Sequence, residues 1–528
     1  MRIVFINPPF LKNFSRSQRS PAVTKGGTVY YPYFLAYAAG WAQKNGFIVD
    51  LFDFVAEELT FAEAIKKVKQ FQPGLIVIET STASIYSDIK FVRQIKRKLP
   101  MSFILLVGTH VSALPEWTLE QAKEIDGVVV GEYDQTVVDL ANFLSLRGPI
   151  RSDRSNLSST GSKREIATSK TSRDDNNFSS NSLFSVDGLV FRSGNKIIRN
   201  KPRALIKNLD QLPFVSSIYT QFLDIKKYYF AAADFPMVMI IGGRGCPYGC
   251  SFCLYPQTMH GLGFRARSAQ NLAEEFVYIK KNLPQVKEIV LEDDTFTADP
   301  SRVAEFCRLL LKFHPRGGKG MTPRENIKWS ANVRVGLDLK TMKLMKKAGC
   351  RLVIVGYESG SEAVLRGMNK KIKTSDSLMF AKNAKKAGLL VHGCFVVGNP
   401  GETVQTMQQT LDLAKKLDPD SAQFYPLFVY PGTKAYSWAK ENGYLITKDY
   451  SKWLKSDGSH NCVIDLPGLS AKQMMAFCDE AYRKFHLRPK YLLKKVIQLV
   501  ASPSEGVRSA RSGVKYLINL ILINLDNH

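Results

Sequence analysis

Three cysteines, Cys246, Cys250 and Cys253, fall within eight residues of the stretch GCPYGCSFCLYP, which begins at Gly245 in a chain of 528 residues holding eight cysteines. Thiolates this close together, on a loop after an apolar run, are suited to a soft metal. A structural zinc site closes with four ligands, commonly as two separated pairs. No second cysteine pair follows, and His260, seven residues on, is the nearby residue that could complete such a set. An iron-sulfur cubane anchored by three cysteines instead leaves one iron open to a substrate or cofactor. Gly242, Gly243 and Gly245 permit close backbone approach to a bulky inorganic group, and Phe252 offers an aromatic face beside the last cysteine. Cysteines packed merely as small hydrophobes would not call for this spacing.

The elements that must position this loop are legible as alternating runs. From Pro236 the runs MVMIIGG, KEIVLEDD, IKWSANVR, RLVIVGYES, LLVHGCFVVG and SAQFYPLFV read as strands, with helical stretches such as LKTMKLMKKAGC and VQTMQQTLDLAKKLDP between them. Six parallel βα units of this kind predict a full or partial barrel whose working face is the carboxyl end of its strands. The first 145 residues alternate in the same way: RIVFIN, FIVDLFDF, GLIVIET, SFILLVGTH and GVVVGE are expected strands, separated by amphipathic helices. That pattern predicts an α/β, doubly wound parallel sheet with ligands at its strand ends.

The expected domains are 1–145 (α/β sheet), 146–183 (a Ser- and Asn-rich insertion read as disordered), 184–235 (hairpin and linker), 236–440 (partial barrel) and 441–528 (a helical C-terminal region). The insertion holds too few apolar residues to offset its ordering entropy. Within the linker, VDGLVFRSGNKIIRNKP predicts a hairpin turning at Ser193, Gly194 and Asn195. A chain this long exceeds one hydrophobic core, and 45% hydrophobic with 23% charged residues is an ordinary globular balance.

Lys and Arg number 73 against 47 Asp and Glu, a net charge of +26, which favours anionic partners or is a solvated basic surface. No Arg-rich tail or nucleic-acid motif accompanies it, so no nucleic-acid partner is expected. Unpaired cysteine spacing and the lack of a leader or of an 18-residue apolar run point to a cytoplasmic protein. PKYLLKKVIQLVA and GVKYLINLILINL mix Lys with Leu and Ile. They suit helices packed on the barrel or, alternatively, lying on the inner face of an anionic membrane.

CPYGCSFC matches the CxxxCxxC signature of radical S-adenosylmethionine (radical SAM) enzymes, and the resemblance runs over roughly the whole chain. It implies a 4Fe-4S cluster on Cys246, Cys250 and Cys253, with S-adenosylmethionine chelating the fourth iron. One electron then cleaves the sulfonium to a 5′-deoxyadenosyl radical, and the electron comes from a donor such as flavodoxin or ferredoxin. The missing ligand is thus the cofactor itself. The same resemblance assigns Glu292, Asp293 and Asp294 to the cofactor's amino group, without the Gly-Gly-Glu form of many members. It assigns Arg334, Glu358 and Ser359 to ribose or carboxylate, Phe252 to the cofactor's vicinity, and Val396, Gly398 and Glu402 to the adenine motif. Glu402 has the alternative role of capping the helix that follows.

A parallel sheet ahead of such a barrel resembles the cobalamin-binding domain of class B radical SAM enzymes. This implies cobalamin near Pro8, Ser81, Thr82, Gly108, Thr109, His110, Gly131 and Glu132. No Asp-x-His-x-x-Gly occurs, so the cobalt-ligating histidine of the mutases has no counterpart; His110 lacks the Asp two residues before it. The function implied is methylation of an unactivated carbon or phosphorus centre on a small-molecule or amphiphilic substrate. The alternatives are oxidative ring closure, as in the anaerobic magnesium-protoporphyrin ester cyclase relatives, or a basic RNA-binding scaffold with a structural metal site. No catalytic acid or base is identifiable from the sequence.

Overall fold

The computed structural model describes residues 1–24, 26–146, 183–313, 327–501, 505–506 and 508. Most of the expected Ser- and Asn-rich insertion and the GVKYLINLILINL stretch lie outside the described residues.

Strands β1 (Arg2–Asn7), β2 (Ile48–Asp53), β3 (Leu75–Thr80), β4 (Phe103–Gly108) and β5 (Gly127–Val129) form a parallel sheet in the order β2-β1-β3-β4-β5. Both faces are covered, which is why β3 and β4 are buried at every position. Helices Tyr33–Lys44, Phe61–Phe71 and Ile85–Lys98 make the crossovers. Helix Phe61–Phe71 starts where Thr60 and Glu63 form a reciprocal capping box and stops at Gln72 in the left-handed region. β1 and β3 are neighbours while the chain leaves them in opposite directions, so a ligand crevice is expected at their carboxyl ends.

The predicted hairpin forms as β6 (Leu189–Ser193) and β7 (Lys196–Arg199), with Gly194 at φ +58° in the turn. It does not belong to a linker. β6 pairs antiparallel with β5 and completes a seven-stranded sheet. β5 has only three residues, and the hairpin covers what would be an exposed edge.

The second sheet takes β8 (Met237–Ile240), then, after a short antiparallel pair β9 (Gly243–Arg244) and β10 (Arg265–Ala266), the strands β11 (Glu288–Leu291), β12 (Lys328–Val333), β13 (Cys350–Glu358), β14 (Leu390–Val397) and β15 (Ser421–Pro426). All six long strands run parallel in the order β15-β14-β13-β12-β11-β8. β15 and β8 are opposite edges, so the barrel is partial. The free carbonyls of edge strand β8 are taken by buried tyrosines. Tyr31 donates to Met237 O (2.9 Å), Tyr219 to Met239 O (2.9 Å) and, just beyond the strand, Tyr37 to Ile241 O (3.3 Å). Tyr31 just precedes the first domain's opening helix and Tyr37 lies within it, so capping the edge also docks the two sheets.

Helix Ala471–His486 packs on β15 through Phe485 and Phe424. The following helix, Pro489–Ala501, buries Tyr491 but exposes Leu492, Leu493, Val496 and Ile497. Among the described residues no helix is long and apolar enough to cross a membrane.

Candidate active site between the two domains

The three cysteines lie on the loop that follows β9, all with free thiols; Cys250 is buried and the other two half-buried. Gly245 has φ +85°, and a Cβ there would stand 2.0 Å from Gly263 O, so only glycine fits. Carboxylates at the end of β11 tie the loop down. Asp293 accepts from Gly242 N (2.6 Å), while Asp294 accepts from Gly245 N (2.8 Å) and pairs with His260 Nδ1 (2.7 Å). Gln257 Nε2 donates to the carbonyls of Cys253 (2.8 Å) and Ser251 (3.0 Å), and Asn369 to Gly249 O (2.7 Å). His260, the residue that could have completed a zinc set, is therefore engaged by Asp294.

Burial, then Asp294 and the neighbouring thiols, push the Cys246 and Cys253 thiols up, so iron binding would release their protons. Among the described residues no three His, Cys, Asp or Glu side chains converge on a single-ion position. Three thiols that each take a different iron of a cubane do not need to converge.

Around this loop stand the other strand-end groups. Glu292 receives Arg19 NH1 at 2.5 Å and Asn332 Nδ2 at 3.0 Å. Glu358 adopts φ +65° and pairs with Lys370 Nζ at 2.6 Å. Arg334 lies over the Tyr248 ring at 3.8 Å and donates to the Lys370 and Lys371 carbonyls. Burial pushes the Asp293 carboxyl up to about 6. Burial acts the same way on Asp294, but His260 and Arg19 hold it below the usual carboxylate range.

Asp293 Oδ2, Asp294 Oδ1, Glu358 Oε2 and Asn399 Oδ1 are buried acceptors without a partner. Buried acceptors ordinarily find donors, and the N–H and O–H groups of a nucleoside-bearing cofactor supply them. Soft thiols on a glycine-framed loop, beside acceptors lacking donors, fit a 4Fe-4S cluster with S-adenosylmethionine.

Of the other residues singled out in the sequence, Ser359 and Glu402 have local partners. Ser359 is fully buried, with its hydroxyl 3.2 Å from Thr410 Oγ1 and accepting from Ser361 N, so it holds a turn. Glu402 accepts from Gly398 N (3.0 Å) and Thr406 Oγ1, and it does not cap the following helix, whose N-cap is Thr403. Gly398 has φ +94°, and its Cβ position meets Met474 Sδ at 2.7 Å. Val396 is buried on β14, and Phe252 packs on Val364, Leu365 and Met368.

In the first domain, Pro8 O accepts from Arg16, and Ser81 Oγ bonds Ser84 Oγ (2.8 Å). Arg16 fills the crevice between β1 and β3, fully buried on Asp88 (2.6 Å), Asn7 (2.7 Å) and Ser84 (3.2 Å). Pro8 and Ser81 thus serve that network. Glu132 pairs with Arg265 (2.6 Å) and faces Arg244 at 3.6 Å; these arginines hold it below its ordinary pKa against the opposing effect of burial. It is an interdomain anchor.

What remains for a corrin lies toward the barrel. Gly108 (φ +110°) admits no Cβ, which would stand 2.5 Å from Thr80 O, whereas the Cβ position of Gly131 (φ +85°) meets only Met259 O at 3.8 Å. Thr109 opens the short helix after β4. His110 Nδ1 lies 3.2 Å from Thr82 Oγ1, its Nε2 has no partner, and burial pushes its pKa down to about 3. The buried Tyr133 hydroxyl also lacks a partner, and the buried hydroxyls of Tyr33 and Tyr255 face each other. Open glycine backbone beside polar groups lacking partners fits a large polar-rimmed cofactor such as cobalamin.

Arg16, Arg19, Arg244 and Lys370 also shape the site, and the motifs in the sequence do not single them out. Arg244 had a local signal, a lone charge in the apolar run MVMIIGGRGC. It is fully buried and bidentate to Asp134, at 2.7 and 3.1 Å. The partners of the others are set by tertiary structure and leave no such trace.

Residues 240–414 match the family model of the radical SAM superfamily, and residues 19–141 match that of the B12 binding domain. The chain is 30% identical over 499 residues to the uncharacterized methyltransferase PH0819 of Pyrococcus horikoshii, covering 94% of this chain and 95% of the relative. It is 23% identical to the anaerobic magnesium-protoporphyrin IX monomethyl ester cyclase of Cereibacter sphaeroides, covering 86% of this chain and 66% of that one. The radical S-adenosylmethionine methyltransferase TsrM of Kitasatospora setae has a similar fold, with a TM-score of 0.65 at 16% identity over 91% of this chain and 89% of that one.

Proposed function

The chain belongs to the radical SAM enzymes that carry a B12-binding domain, and from that premise we propose that it methylates an unactivated carbon or phosphorus centre of a small molecule. When bound, the cluster and S-adenosylmethionine supply a hydrogen-abstracting radical, and cobalamin supplies a methyl carrier.

The observation that carries this reading is the common seam. Both sheets send their carboxyl-end loops into it: Arg19, after β1, meets Glu292, after β11, and Glu132, after β5, meets Arg265 beside the cysteine loop. Gly432, after β15, packs against Ala113, after β4. One substrate in that seam would be within reach of both cofactors.

This chain's residues have distinct tasks in the proposal. Asp293 and Asp294 fix the backbone that carries the thiols, and Glu292 takes the cofactor's ammonium by charge-assisted hydrogen bonding. Lys370 holds Glu358 by one carboxylate oxygen and leaves Oε2 for a donor on the cofactor. Tyr33, Tyr133 and Tyr255 offer hydroxyls from both sides of the seam, which the closed domain contact keeps from bulk water. Glu358 and Arg334 remain assigned to ribose and carboxylate, Val396 and Gly398 to the wall beside adenine, and Thr82, Thr109, His110 and Gly131 to the corrin.

The electrons come from a reductant, which we take to be a flavodoxin or ferredoxin. The exposed Leu492, Leu493, Val496 and Ile497, on a helix whose Lys490 and Lys494 pair with Asp418 and Asp420, suit a cytoplasmic enzyme that touches a membrane through an apolar face. Loss of co-sedimentation with phosphatidylglycerol vesicles in L493D/I497D would support that contact, and an unchanged wild-type-like pellet would refute it.

The test of the main proposal is product analysis of the anaerobically reconstituted enzyme with methyl-labelled S-adenosylmethionine, cobalamin and a metabolite extract. Methylation yields S-adenosylhomocysteine together with 5′-deoxyadenosine and methionine, with label in a compound other than methionine. The cyclase reading, suggested by the second relative, yields 5′-deoxyadenosine and labelled methionine without S-adenosylhomocysteine.

A further inference from the structure

Arg19 belongs to the segment of residues 8–31 that follows β1, yet its guanidinium ends on the second domain. It meets Glu292 Oε1 at 2.5 Å, Glu292 O at 3.2 Å and Asp293 O. Its chain neighbours are gripped separately. Arg16 is locked in the first domain, Ser17 Oγ donates to Glu79 (2.9 Å), and Ser20 O accepts from His460 Nε2 at 3.0 Å. Arg19 is therefore one cationic finger, extended across the seam from an anchored base.

Its landing point is specific. Glu292 is 4% exposed, and Asn332 takes its other carboxylate oxygen. The Arg19 charge also faces Asp294 and the Cys253 thiol, at the centre of the site. Two cations cannot share one desolvated carboxylate oxygen without strong repulsion.

We propose that Arg19 and the ammonium of S-adenosylmethionine are alternative occupants of Glu292, so that cofactor loading expels the Arg19 finger and loosens the residues around it over the B12-binding domain. This rests on the reading of Glu292 as the ammonium partner. Thermodynamic reciprocity then ties the two domains: whatever stabilises the docked finger weakens cofactor binding, and the cofactor weakens the docked finger equally. Arg19 acts here as a positioning residue, through Glu292.

The test uses the full-length, anaerobically reconstituted chain without reductant, with S-adenosylmethionine as the probe. Equilibrium dialysis gives affinity, and hydrogen exchange follows peptides spanning residues 17–24. Arg19→Ala should tighten binding about tenfold, or roughly 1.4 kcal/mol, and Arg19→Lys should restore an affinity near wild type. In the wild type, the cofactor should speed exchange at residues 17–24 and leave the Arg16 anchor protected. Weaker binding in Arg19→Ala would mean that Arg19 holds the cofactor's carboxylate. Unchanged exchange in the wild type would mean that it does not move. Either result overturns the proposal, and the exchange measurement decides even if the variant fails to fold. Glu292→Gln isolates the premise: retained affinity in that variant sinks the ammonium assignment itself, whatever Arg19→Ala shows.

Discussion

Replacing Arg244 by Met would test whether the cysteine loop is held by the first domain. Arg244 is the residue before Gly245, and its side chain is 2% exposed, against 4% for Asp134 and 2% for Glu132. Both Asp134 oxygens accept from it, at 2.7 and 3.1 Å. Met fills much of the volume but strands Asp134 as an uncompensated buried carboxylate, which costs roughly 3–5 kcal/mol. Glu132 retains Arg265 and adds little. The companion double variant, Arg244→Met with Asp134→Leu, removes the stranded charge and should recover most of the loss, since an apolar pair of similar volume is often as stable as the ion pair it replaces. Urea unfolding followed by tryptophan fluorescence measures the loss, and iron per chain after reconstitution measures the consequence for the loop. The single variant should lose both stability and iron, and the double variant should regain both. A single variant within about 1 kcal/mol of wild type, or a double variant no better than the single, would refute the latch.

Further outcomes follow from the same geometry. Gly245→Ala places a Cβ 2.0 Å from Gly263 O at a positive φ, so reconstituted iron should fall severalfold while the rest of the fold persists by circular dichroism. Asp294→Ala removes the acceptor of both Gly245 N and His260 Nδ1, and its iron should dissociate faster under a chelator than in Asp294→Asn, which keeps one acceptor. Burial pushes the Glu402 carboxyl up to about 7, opposed by Thr406 and the Gly398 amide. A raised folded pKa gives stability that is complete below the ordinary pKa near 4.5 and lost as pH rises through about 7. Glu402→Gln cannot titrate, so from pH 5 to pH 8 it should gain on wild type by at most about 3 kcal/mol of unfolding free energy from urea titrations.

The strands of both sheets were legible because parallel strands buried on two faces read as unbroken apolar runs; GLIVIET and SFILLVG correspond to β3 and β4. The hairpin was legible as a hairpin, since Gly194 marks its turn. Its partner was not: β5 and β6 are some sixty residues apart in the chain, and antiparallel pairing at that separation has no local signature. The cysteine loop carried its chemistry in its spacing. Strand-end polar residues were harder to sort. Glu292 and Glu358 face the site, whereas Ser359, Glu402, Pro8 and Ser81 serve nearby backbone or a buried ion pair, a choice made by neighbours such as Thr410 and Arg16. Arg19 and Arg244 reach carboxylates more than a hundred positions away, and sequence periodicity says nothing about such pairs.

The decisive measurement gives the anaerobically reconstituted chain S-adenosylmethionine and a strong reductant and reads 5′-deoxyadenosine against iron content. Cofactor cleavage is expected in the wild type and should disappear when any one of Cys246, Cys250 and Cys253 is replaced by alanine. Iron bound by the wild type with the sulfonium left intact would contradict that expectation.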